Sequence, residues 1–139
     1  MRDISVERVV DASPPVVRRQ LNPRTLVEYE GSFEVVDSRE EGVATLVIAA
    51  ASGLELTLRF EPREGGYYYT QEGDAGPFDA METWVETAAV NDGRGTRVHF
   101  RSVVSLGLPL PALTDRVAAW KRQGELDRAL DVLAADISG

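Results

Sequence analysis

Short runs in which apolar and polar residues alternate fill the middle of the chain, and turn residues divide them. The runs are Ser32 to Val36, Val43 to Ala51, Leu54 to Phe60, Tyr67 to Glu72, Met81 to Val90 and Thr96 to Ser105. Leu54, Leu56, Leu58 and Phe60 alternate with Glu55, Thr57 and Arg59, which predicts a strand with one dry and one wet face. The separators DSREEG, SG, PREGG, GDAGPFDA and NDGRG are rich in Gly, Asp and Asn, so successive strands should pair antiparallel through short links. A further strand, Ile4 to Ala12, comes first. Ser13-Pro14-Pro15 then predicts a short helix with Ser13 as N-cap, and Asn22-Pro23 a second helix, with Leu26, Val27 and Tyr29 on its apolar side and Gly31 at its end.

The last stretch, Leu110 to Ile137, reads as one helix about 40 Å long at ~1.5 Å per residue. At ~100° per residue, Leu113, Val117, Trp120 and Gly124 fall on one stripe, whereas Leu126, Leu130, Leu133 and Ile137 fall on another. The buried face is therefore expected to change near Gly124, a candidate bend. The C-terminal half reads as plain core, and the N-terminal half is expected to face something different.

A two-residue turn at Asp92-Gly93 predicts the register of the last hairpin: Val85 opposite Phe100 and Met81 opposite Val104 on one side, Glu86 opposite His99 and Trp84 opposite Arg101 on the other. His99 then lies on the outer face beside a carboxylate, and Trp84 stacks on a guanidinium.

Composition narrows the function classes. The 139 residues, 43% hydrophobic, suit one globular domain with a real core. With no cysteine and one histidine, disulfides, thiolate sites and His-pair metal motifs are excluded, so no metal and no cofactor is expected. A formal charge of -8, with Lys121 the sole lysine, speaks against nucleic acid as a partner. It also matches the acid-rich composition of salt-adapted proteins. No apolar run approaches the ~20 residues of a membrane span, and the N-terminus lacks a signal-peptide pattern, so a cytoplasmic location is the default expectation. No Ser-His-Asp, paired-carboxylate or phosphate-loop arrangement is present, and no catalytic residue is assigned.

The element order, together with VVDASPPVVRRQL, EGDAGPFDAMETWVETAAVNDGRGTRVHF and LPLPALTDRVAAWKRQGELDRALDVLA, resembles the START/Bet v 1-like superfamily, in particular its polyketide cyclase/dehydrase and lipid-transport members. The resemblance implies an α+β helix-grip fold: a seven-stranded antiparallel curved sheet, two short helices after the first strand, and a long C-terminal helix across the concave face. It also implies a pocket for an apolar or amphipathic ligand between the sheet and the N-terminal half of that helix. A helix only ~10–12 Å wide cannot fill the concavity alone, which supports such a space.

Alternation sends Tyr67, Tyr69 and Gln71 to one face, phenols and an amide suited to orienting a ligand. Phe33, Leu56, Leu58, Phe60 and Phe100 are expected in the pocket wall with Leu26, Tyr29, Met81 and Val85; Phe78 is expected at its mouth, and Leu113, Val117 and Trp120 beneath the helix. The expected function is binding or transport of a hydrophobic small molecule or lipid. Two alternatives stand beside it: a polyketide cyclase using a pocket Tyr or Arg, which requires an ionisable pocket group with no structural partner, and an interaction module whose cavity is closed.

Overall fold

The computed structural model describes residues 2–73, 80–105 and 111–138; the side chains of 111–114 and 138 are not described. Pro77, Phe78 and the side chain of Leu113 thus lie outside the described residues. Strand β1 (Arg2–Val10) is followed by helices α1 (Pro14–Gln20) and α2 (Pro23–Glu30). Strands β2 (Glu34–Glu41), β3 (Ala44–Ala51), β4 (Leu54–Arg63), β5 (Gly66–Glu72), β6 (Ala80–Val90) and β7 (Gly95–Ser105) come next, and helix α3 (Pro111–Ser138) closes the chain. The strands form one curved antiparallel sheet in the order β1-β7-β6-β5-β4-β3-β2. This is the α+β helix-grip architecture expected from the sequence.

The register of β6 and β7 is the expected one: Val85 opposes Phe100, Met81 opposes Val104, Glu86 opposes His99 and Trp84 opposes Arg101. The connection is longer than the expected turn. Asn91, Asp92 and Gly93 all have positive φ, and the strands rejoin at Val90 and Gly95, so four residues make the link without shifting the register. On the convex face the Arg101 guanidinium lies 4.7 Å from the Trp84 ring centroid and is held by Asp3 at 2.7 Å.

Strand β2 departs from the sequence reading. DSREEG was expected as a turn, yet Asp37 to Glu41 continue the strand and only Gly42-Val43 turn the chain. A register shift between Val35 and Asp37 leaves Val36 unpaired and 58% exposed. The residues beyond it are exposed and, apart from Ser38, charged, which suits an edge strand that must not recruit a neighbour and hides the alternation that marks strands in a sequence.

Helix α2 starts as its sequence predicts. Asn22 Oδ1 accepts from the Thr25 amide at 3.0 Å and Thr25 Oγ1 accepts from the Asn22 amide at 3.1 Å, a reciprocal cap. Gly31 ends it in the left-handed region at φ 80°. Ser13 holds the N-cap position of α1, but its side chain makes no capping bond; Pro14, which needs no N–H partner, opens the helix instead.

Helix α3 lies over β1 and β7 and against α2. Its buried residues are Asp115, Ala118, Ala119, Arg122, Glu125, Leu126, Ala129, Leu130 and Leu133. Residues 115, 118, 122, 126, 129 and 133 recur at intervals of three and four, so one face stays buried throughout and does not change at Gly124. Gly124 is exposed, and a Cβ there would meet nothing within 4 Å. What changes along the buried face is its chemistry, from leucine to arginine and carboxylate. The core beneath packs Val17, Leu21, Leu26 and Val27 and the C-terminal half of α3 onto concave residues such as Phe60, Val85 and Phe100.

Candidate functional site

Three neighbouring strands each place one polar side chain on the concave face, and pairing sets them in a row: Tyr69 opposes Thr83, and Thr83 opposes Ser102. All three are fully buried. Arg122 of α3, 2% exposed, reaches down onto this row. Its Nε donates to Ser102 Oγ at 3.3 Å, and its Nη2 donates to the Tyr69 hydroxyl at 2.8 Å and to Thr83 Oγ1 at 2.9 Å. Its Nη1 donates to Glu30 Oε1 and, at 3.0 Å, to Glu125 Oε1. These five bonds match the five N–H groups of a guanidinium, so the cation is saturated.

The partners are themselves tied down. The Tyr69 hydroxyl donates to Glu30 Oε2 at 2.6 Å, the Thr83 and Ser102 hydroxyls lie 2.9 Å apart, and Ser102 donates to the Glu82 carbonyl at 2.9 Å. Lys121, half exposed, donates to Glu125 Oε2 at 3.3 Å. The Arg128 guanidinium donates to the Glu30 carbonyl at 2.6 Å, satisfying an acceptor at the end of α2. No buried side-chain polar atom is left without a partner among the described residues.

Burial raises the Glu30 carboxyl above the ordinary carboxylate range, against the pull of Arg122. Burial also pushes Glu125 up, but Arg122, the Ser32 hydrogen bond and Lys121 outweigh it and hold this carboxyl below its usual range. Burial raises the Tyr69 phenol, with Glu30 adding to the effect, so Tyr69 stays protonated. Arg122 is held well above its ordinary value: burial opposes its charge, and Glu30, Tyr69 and Glu125 overcome that opposition.

Beside this cluster is a cavity of about 30 Å3 lined by Val27, Glu30, Ser32, Phe33, Leu56, Leu58, Gln71, Met81, Arg122 and Glu125. It lies between the end of α2, the segment leading into β2, strands β4 to β6 and the middle of α3. Of the sequence-predicted residues, Phe33, Leu56, Leu58, Gln71 and Met81 line it. Leu26, Phe60, Val85 and Phe100 are buried in the surrounding core. Tyr67 packs at the core's margin, its ring edge-on to Phe60 at 6.2 Å, and Tyr69 stacks on Phe60 at 4.3 Å. Tyr29 points away, donating to Asp136 Oδ2 at 2.8 Å; burial and that bond push its phenol up to about 12. Val117 and Trp120 are 56% and 78% exposed and face outward rather than beneath the helix, because Ala118, Ala119 and Arg122 take the inward positions.

Glu30, Arg122 and Glu125 were not assigned from the sequence. A signal for Arg122 was present: counting back from Leu133 through Ala129 and Leu126 by fours and threes arrives at it. Arg59, Arg97 and Arg101 face the convex side, where they pair with Glu41 and Glu72, with Glu7, and with Asp3.

An antiparallel sheet gripping a C-terminal helix, with a small cavity at their junction, is the helix-grip arrangement, and solved structures similar to the chain share that fold. A protein from Thermus thermophilus superposes with a TM-score of 0.72 at 22% identity over 96% of this chain and 95% of that one. The Zhui aromatase/cyclase from a Streptomyces species gives 0.74 at 15% identity over 97% and 92%. A START superfamily protein from Mycobacterium smegmatis gives 0.67 at 13% over 97% and 98%. The fold is thus the START and aromatase/cyclase fold. No protein-family model and no curated protein sequence matches the chain. No described helix is long and apolar enough to cross a membrane.

Proposed function

We propose that this chain binds an apolar small molecule or lipid, without covalent chemistry, in the space between the curved sheet and α3. The carrying observation is the cavity beside Arg122, where Val27, Phe33, Leu56, Leu58 and Met81 supply apolar walls and a few polar groups converge on one end. In the described conformation its volume of about 30 Å3 admits one small group. The body of a ligand requires Phe33 to yield. Phe33 is only partly buried and sits where the chain leaves α2, so its displacement opens the cavity without breaking a helix or a strand pair. A cyclase reading needs an ionisable pocket group with no structural partner, whereas Glu30, Arg122 and Glu125 are each partnered.

The test is native mass spectrometry of protein purified gently from its own cells, followed by extraction of any adduct. The expected result is a stoichiometric apolar adduct that is lost in Leu58→Trp, a variant that fills the cavity, and kept in Val43→Trp on the surface. A second reading, an interaction module with a closed cavity, is favoured by the same small volume. It predicts a bare mass for both variants and the wild type, together with a stable protein complex in the native lysate.

A further inference from the structure

We propose that the group received at the polar end of this cavity is a hydrogen-bond donor, a hydroxyl or protonated amine on an apolar body, and not a carboxylate. The inference rests on the binding reading above and comes from counting donors and acceptors. The five N–H groups of Arg122 are spent on Glu30, Glu125, Tyr69, Thr83 and Ser102. The Tyr69 proton is spent on Glu30, and the Ser32 side chain is hydrogen-bonded to Glu125. Gln71 already has an interaction of its own.

The acceptors are not exhausted. An ionised carboxylate offers about four lone-pair sites. Glu30 uses one toward Arg122 and one toward Tyr69; Glu125 accepts from Arg122, Lys121 and Ser32. Both line the cavity, and their side chains keep 10% and 6% exposure, against 2% for the Arg122 side chain. The cavity therefore meets spare carboxylate lone pairs more than guanidinium. Arg122 and Lys121 already balance the two carboxylates, so a third carboxylate would bring a negative charge with no cation left to offset it. A hydroxyl or ammonium fits the volume of about 30 Å3 and supplies the missing protons. A ligand carboxylate would stand beside the like charge of Glu30 and Glu125 with the Arg122 donors already spent, and a buried polar group without a full set of partners is costly.

The test titrates three probes with the same ten-carbon tail, 1-decanol, decylamine and decanoate, into the full chain at pH 7. The methyl resonances of Leu58 and Met81 report occupancy. Decanol and decylamine are expected to shift both, with decanoate weaker by about tenfold or more, as one unmade buried hydrogen bond implies. Decanoate binding as tightly as decanol overturns the donor rule and leaves the cavity reading standing. If no probe moves Leu58 or Met81, both are overturned. Glu125→Gln, or Glu30→Gln if the former does not fold, offers an amide N–H₂ in place of a carboxylate oxygen and is expected to narrow the gap between decanol and decanoate. An unchanged ratio in a folded variant also overturns the rule.

Discussion

Arg122→Met removes the cation that lies between the carboxylates of Glu30 and Glu125. Breaking a buried ion pair from one side costs about 3–5 kcal/mol, a loss that urea denaturation at pH 7.5 should show. The pH dependence gives a sharper test. Burial already holds the Glu30 carboxyl above its unfolded value of about 4.3, and without Arg122 the charge that pulls it down is gone, so it rises further. Its stabilising contribution is then full below the unfolded value and is lost as pH rises through the folded pKa. The variant should gain stability relative to wild type on going from pH 7.5 to 4.5, and parallel pH profiles would refute the account. Trp120→Gln, by contrast, should change stability by no more than about 0.5 kcal/mol, because Trp120 is 78% exposed. The sequence pattern places Trp120 beneath the helix and assigns no role to Arg122. It follows hydrophobicity to Val117 and Trp120, whereas the helical interval running back from Leu133 points inward to Arg122. Polar residues at core positions were also visible at Thr83 and Ser102, which interrupt Met81-x-x-x-Val85 and Phe100-x-x-x-Val104 and oppose each other in the predicted register. What the sequence lacked was the partner, since Glu30 reaches Arg122 across 92 residues of chain.

Among the elements, α2 and α3 meet at a point controlled by one glycine, Gly31. Gly31, at φ 80°, would place a Cβ 2.7 and 2.9 Å from atoms of the Arg128 side chain, which also holds the last carbonyl of α2. Gly31→Ala should therefore cost about 1–3 kcal/mol, the usual strain of a left-handed non-glycine residue. Gly124 is the opposite case: it lies within α3, exposed, with open space around it. Gly124→Ala should raise thermal stability by about 0.5–1 kcal/mol through helix propensity and a less flexible unfolded chain. A loss of stability in that variant would mean that the helix needs flexibility there. Most elements were legible because each carries a local marker: the Asn22-Pro23 opening and Gly31 close of α2, the proline start of α3, and the alternation of β4. Strand β2 was truncated in the reading because an exposed edge strand is selected for charge, which erases the period of two.

For the whole molecule, the curved sheet and the gripping helix followed from element order and short links, which left antiparallel pairing as the geometry available. The cavity volume did not, because it depends on how far Phe33 and Arg122 project, and no local pattern records that. The Arg122 cluster also joins parts that are distant along the chain: Glu30 from α2, Tyr69 from β5, Thr83 from β6, Ser102 from β7 and Glu125 from α3. A guanidinium bonded to five positions is costly to desolvate before its partners assemble, so the cluster is expected to close late in folding. Conservative changes such as Thr83→Val or Ser102→Ala should then leave the folding rate nearly unchanged and accelerate unfolding. Glu30, Arg122 and Glu125, the members of this cluster that also wall the cavity, would then help to set how long the native state survives once it has formed.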